Sequence, residues 1–165
     1  MAIESVIDYF EKTVKPTVDE FLLTPTDIRR GRIAAIVLYH MWDYADQNGI
    51  GKPSNGLIDL EKMYYEVVRA TANASKHFQL RKDEKFPHIA KKADQVIAEE
   101  NEGLFCAPFG DGVVAESNEV YLLLDSPQTH YGETYEYVNL ATAIKFVMAF
   151  WQQQIDIKLT LLEAR

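Results

Sequence analysis

Between residues 26 and 78, apolar side chains return every three or four positions in two long runs, broken only by a glycine-rich stretch. This period places them on one face of a helix, so the chain must bury two long amphipathic helices. The first run spans about Thr26 to Asn48, with Ile33, Ile36, Val37, His40, Met41 and Tyr44 expected on its buried side. The turn Thr24-Pro25-Thr26-Asp27 supplies N-cap side chains before it, and Gly49 suits a C-terminal cap after it. Gly49 to Gly56 holds three Gly and one Pro and reads as a loop. The second run extends from about Leu57 to His77 or Phe78, with Leu60, Met63, Tyr64, Val67, Val68 and Thr71 on its core face. Helices joined by so short a loop are expected to pack antiparallel.

The flanks add elements of two kinds. Ala2 to about Val14 is an amphipathic helical pattern through Ile3, Val6, Ile7 and Phe10; Pro16 is expected to interrupt it, with a further helical segment from Thr17 to Leu23. Lys82 to Pro87 is a charged connector. The period then changes. Asp94 to Glu99 fits a strand or a short helix, Leu104 to Phe109 an edge strand, and Gly110 to Gly112 a turn. Val113 to Ser117 and Glu119 to Asp125 are strand-like and joined at Ser117-Asn118, Ser126 to Gly132 reads as a loop, and Thr134 to Val138 as another strand. Leu140 to about Lys158 returns to a helical pattern, capped by Asn139, with Ile144, Val147, Met148, Trp151 and Ile155 on one side. Helices, then a small antiparallel sheet, then a closing helix make the fold class α+β, mainly α. With 165 residues, no repeat and no linker, the expectation is one domain: helical over 1–90, β-rich over 94–138 and closed by the helix at 140–158.

Charge and cysteine content narrow the function classes. A net charge of −8 argues against binding nucleic acid over the whole surface. The charge is uneven: residues 1–68 carry −4, residues 69–92 carry +5 and residues 93–165 carry −9. The basic segment therefore starts at Arg69 and surrounds His77. It is either a solvated loop after a helix or a local anion or phosphate site. Cys106 is the only cysteine, so no internal disulfide forms and a cytoplasmic location is the simplest expectation. Its neighbours Phe105, Ala107 and Pro108 bring no activating charge, which favours a structural thiol over a nucleophile. No apolar run reaches the ~18 residues of a membrane span, and the N-terminus lacks the basic and apolar regions of a signal peptide.

Three side-chain groups bear on chemistry. Arg69, Asn73 and His77 follow one another at spacings of four and fall on one helix face. Histidine serves as general acid or base near neutral pH, arginine stabilises a phosphate, and asparagine orients either. The set suits attack by an RNA 2′-hydroxyl on its own phosphate, and equally a polar stripe at a helix end, where Lys76 and His77 complement the dipole. His40, Asp43 and Asp46 stand at spacings of three, but one helix supplies too few ligands and no His-Glu-x-x-His pattern completes them, so no metal is expected. His40 and Asp43, with Asn73 and Lys76, are candidates for a nucleotide or small-ligand site between the two long helices. Arg29, Arg30 and Arg32 oppose the dipole of their own helix and are expected to pair with Asp27, Asp19 or Glu20. There is no phosphate loop, nucleophile elbow, Cys-x-x-Cys or dinucleotide fingerprint.

The run Thr-Pro-Thr-Asp-Ile-Arg-Arg-Gly-Arg-Ile-Ala-Ala-Ile-Val-Leu-Tyr-His-Met-Trp-Asp-Tyr at 24–44, followed by Ala-Asn-Ala-Ser-Lys-His-Phe at 72–78, resembles a group of uncharacterised bacterial and phage-borne proteins. Those in turn are similar to the HEPN superfamily of helical bundles. The resemblance covers about residues 20–80, with a weaker echo around Trp151, and leaves 94–138 outside a minimal bundle. It implies a homodimer and, for many members, RNase activity in toxin–antitoxin, CRISPR and phage-defence systems. Asn73 and His77 match the Asn and His of the family motif. The motif Arg should directly precede the Asn, where this chain has Ala72, and Arg69 lies one turn earlier. The expected function is a non-catalytic binding or regulatory domain without cofactor, phage- or defence-associated. The alternatives are a metal-independent endoribonuclease using His77 and Arg69, and a nucleotide or small-ligand binding protein.

Overall fold

Pro16 does not end the first helix. In the computed structural model, which describes residues 3–50, 57–77, 80, 88–98 and 119–164, α1 (Ile3–Tyr9) widens into a π segment (Phe10–Val14) and continues as α2 (Lys15–Leu23). The backbone N–H of Lys15 reaches Phe10 O, five residues back. A proline offers no N–H to the carbonyl four residues earlier and its ring crowds that carbonyl. The wider turn carries the chain past it. The expected interruption is thus a change of helical pitch. The readings at 82–87, 104–109, 110–112 and 113–117, the hairpin at 117–118 and Cys106 lie outside the described residues.

Helix α3 (Ile28–Gln47) starts where Asp27 Oδ1 accepts from Arg30 N–H at 3.1 Å. It ends in a Schellman arrangement: Gly49, at φ +66°, donates to Asp46 O, and Ile50 donates to Ala45 O at 3.0 Å. Its buried stripe is Gly31, Ala34, Ala35, Leu38, Met41 and Ala45. This corrects the expected face: Met41 is buried, but Ile36, Val37 and His40 are half-buried, and Ile33 and Tyr44 are exposed. Small residues win the inner position because neighbours pack closely there. A Cβ on Gly31 would stand 3.0 Å from both Leu140 Cδ2 and Phe21 Cε2. Arg30 pairs with Asp27 at 3.4 Å, but Arg32 donates to Ala93 O at 2.7 Å, a backbone partner rather than the expected carboxylate.

Helix α4 (Asp59–Lys76) buries Met63, Val67, Val68 and Thr71 from the expected face, and also Tyr65, Ala70, Ala72 and Ala74. It is covered on several sides because α3, the closing helix and the sheet all pack on it. That closing helix, α5 (Leu140–Glu163), begins with Asn139 Oδ1 accepting from Thr142 N–H at 2.8 Å. It inserts Leu140, Ile144, Val147, Trp151 and Ile155 into the core. Each large apolar side chain removed from water there contributes about 1.5–3 kcal/mol before entropy is counted.

The sheet is antiparallel in the order β1 (Val96–Ala98), β2 (Val120–His130), β3 (Glu133–Asn139), with a 3₁₀ turn (Ala93–Gln95) leading into it. Residues 126–130 belong to β2, which corrects the loop expected from 126 to 132. The hairpin turn is only Tyr131-Gly132, both at positive φ (52° and 84°), as a type I′ turn needs. From Leu123 to Gln128, β2 advances five residues while β3 advances two, from Tyr137 to Tyr135, so the strand bulges around Pro127. Helices hold 68% of the described residues, which makes the fold α+β and mainly α, as the sequence indicates.

Candidate functional site

The two ends of the Arg69–Asn73–His77 strip have different fates. Arg69 is held by Glu66, one turn earlier on α4: Nε and Nη2 lie 2.7 and 2.5 Å from Glu66 Oε2, with the side chains only 12% and 18% exposed. His77 is the residue after the helix, in extended backbone (φ −129°, ψ 136°) and exposed, its N–H closing the last turn on Asn73 O at 3.1 Å. At about 1.5 Å rise per residue, Arg69 and Asn73 are about 6 Å apart along the axis, and the helix stops before His77 joins their row. Ala72, between Arg69 and Asn73 in sequence, is fully buried.

The second candidate set comes together across two helices. His40 on α3 bonds Ile36 O through Nδ1 at 2.9 Å. A carbonyl only accepts, so Nδ1 is the donor in this bond. Lys76 Nζ lies 3.3 Å from Nε2 and 3.5 Å from Nδ1, so the ammonium sits over the imidazole ring rather than in line with one nitrogen. The same ammonium stands 5.8 Å from the centre of the Tyr39 ring, which meets His40 edge-on. Partial burial there pulls the Lys76 pKa below its ordinary 10.5, with Asp43 pulling it back up. Among the described residues Lys76 makes no ion pair with a carboxylate. Asp43 and Asp46 are exposed, and no group of three metal-ligating side chains forms among the described residues.

The same exposed flank of α3 carries a third feature that the sequence reading missed. Tyr44, one turn beyond His40, stacks on Tyr9 of α1 with ring centres 4.1 Å apart and planes within 5°. The Tyr9 hydroxyl donates to Val37 O at 3.0 Å, and burial, then Tyr44 and Asp43, push its pKa up to about 12. Beside this pair lies an open recess of about 510 Å³ lined by Glu4, Ser5, Asp8, Tyr9, Thr13 and Tyr44. No local spacing pairs Tyr9 with Tyr44; only the number of tyrosines hinted at amphipathic rings on the core boundary. The Glu66–Arg69 spacing of three was the one available signal for the ion pair.

No helix among the described residues is long and apolar enough to cross a membrane. Comparison with protein-family models, curated proteins and solved structures gives no match.

Proposed function

We propose that this protein is a non-catalytic, HEPN-like binding or regulatory domain that takes a phosphate-bearing partner, RNA or a nucleotide, at His40, Asp43 and Lys76, with the phosphate at Lys76 and a ribose hydroxyl or base amine donating to Asp43. The observation that carries the non-catalytic part is the commitment of Arg69 to Glu66 while His77 lies beyond the end of α4. A phosphate-cleaving site needs its cation and its general base directed at one group. What favours an anion at α3 and α4 is the Lys76 ammonium, partly desolvated, resting on the His40 ring and paired with no carboxylate among the described residues. A phosphate would replace a weak acceptor with a charged one. The homodimer and the phage- or defence-associated setting that the resemblance implies belong to the same proposal.

The test is thermal melting with ATP and with a short single-stranded RNA, for wild type and Lys76→Gln. A ligand that binds the folded state raises the melting temperature. The expected result is a rise for wild type that is lost in Lys76→Gln. No rise with either ligand would contradict the phosphate site.

A further inference from the structure

The recess on α1 has the opposite chemistry to the Lys76 face. Its lining contains two carboxylates, Glu4 and Asp8, two hydroxyl side chains, Ser5 and Thr13, and the stacked phenols Tyr9 and Tyr44, with no basic side chain. Glu4 and Asp8 lie one turn apart on α1, so their carboxylates face the same side. Asp8 is already paired with Lys12, whereas Glu4 makes no ion pair among the described residues. The aromatic wall is fixed: the rings stack on each other and the Tyr9 hydroxyl is tied to α3 through Val37 O. The raised Tyr9 pKa fits the same surroundings, since Tyr44 and Asp43 add to burial in disfavouring another negative charge.

We infer that this recess binds a small alkylammonium ligand of the di- or polyamine class. A primary ammonium has three N–H donors and no acceptor, which matches carboxylates backed by hydroxyl oxygens. Its methylene chain lies against the phenol rings, and the charge next to it is favoured by their π faces. An anion is repelled by Glu4 and Asp8, and a neutral apolar molecule supplies no donor to Glu4, which makes no ion pair among the described residues. The cavity is within the usual range for small-molecule sites, about 300–1,000 Å³.

The experiment is isothermal titration of the purified chain with spermidine at about 150 mM salt, where diffuse attraction to an acidic surface is screened beyond about 8 Å. Mg²⁺ is titrated in parallel as a cation without methylenes. Wild type is expected to saturate at one site with spermidine and not with Mg²⁺. Glu4→Gln and Tyr44→Leu are each expected to weaken binding by at least about tenfold. Glu4 is exposed, so its variant tests the site without disturbing the core. No saturable binding, equal affinity in Glu4→Gln, or Mg²⁺ binding at the same site with the same affinity would overturn the inference.

Discussion

Arg69 and Glu66 meet within one turn of α4, both Nε and Nη2 of the guanidinium resting on the single carboxylate oxygen Oε2. With 12% and 18% of the side chains exposed, the pair is much drier than a surface ion pair, so losing the Glu66 charge removes an attraction that water screens poorly. Glu66→Gln is expected to cost about 1–2 kcal/mol in urea unfolding, short of the penalty for a fully buried pair. Arg69→Met in the Glu66→Gln background should then cost less than Arg69→Met alone. Additive losses would mean that the contact contributes nothing.

Gly31 lies between Phe21 and Leu140, both fully buried. Alanine favours a helix over glycine by about 1 kcal/mol. Here, though, the added methyl would meet two side chains at 3.0 Å that have no room to move away. Gly31→Ala is therefore expected to destabilise the protein by about 1–3 kcal/mol, measured by chemical denaturation. A stabilised variant would show that α2, α3 and α5 pack less closely at this point.

Gln95 fastens the segment before β1 to β2. Its Oε1 accepts from the N–H groups of Lys91 and Lys92, each at 2.7 Å, and its Nε2 donates to Leu123 O at 3.1 Å and Asp125 Oδ1 at 2.9 Å. All four hydrogen-bonding positions of the amide are used at a residue only 9% exposed. Gln95→Ala leaves these partners unpaired and is expected to cost about 1–3 kcal/mol, with faster amide exchange at Lys91 and Lys92. Unchanged exchange at those two amides would contradict this role.

Asp125 gives the same junction an acid dependence. Burial raises its pKa, but hydrogen bonds from Lys91 and Gln95 outweigh that and hold it below the ordinary 3.8. A carboxyl depressed in the folded state stabilises the fold above its unfolded pKa and loses that contribution as pH falls through the folded value. Asp125→Asn should therefore lower the melting temperature at pH 7 and differ little from wild type once pH is well below 3.8. An equal deficit at both pH values would contradict the linkage.

Lys76 has the opposite sign. A base held below its ordinary 10.5 binds fewer protons folded than unfolded between the two values, so its contribution to stability rises with pH in that window. At neutral pH the charged amine is a cost, relieved as pH approaches 10.5. Lys76→Met is expected to raise the melting temperature slightly at pH 7 and to lose that advantage near pH 10.5. A gain that grows with pH would contradict it.

Local chemistry was the legible part of this fold. Asp27 and Asn139 cap their helices and Gly49 terminates one, because each needs only its own neighbours along the chain. The inner face of α3 was not legible. Two apolar stripes run side by side along that helix, and close packing around Gly31, Ala34 and Ala35 selects the one with the smaller side chains. Residues 126–130 pair with β3 only because a bulge absorbs Pro127, and the tight turn at Tyr131-Gly132 sets a register that composition alone does not specify.

The candidate sites divide in the same way. The strip from Arg69 to His77 could be drawn from spacing, but spacing does not show that Glu66 holds Arg69 or that the helix ends at Lys76. His40 and Lys76 fall in one candidate ligand set on adjacent helices, but their contact spans 36 residues and depends on how α3 and α4 pack. Tyr9 and Tyr44 come from different helices and carried no local sign of their pairing.

The most direct test of the central claim is incubation of wild type and His77→Ala with mixed RNA in the presence of EDTA. With Arg69 held by Glu66 and His77 off the helix, the account predicts intact RNA with both proteins. Cleavage by wild type that leaves 2′,3′-cyclic phosphate ends and disappears in His77→Ala would contradict it and make the protein a metal-independent RNase.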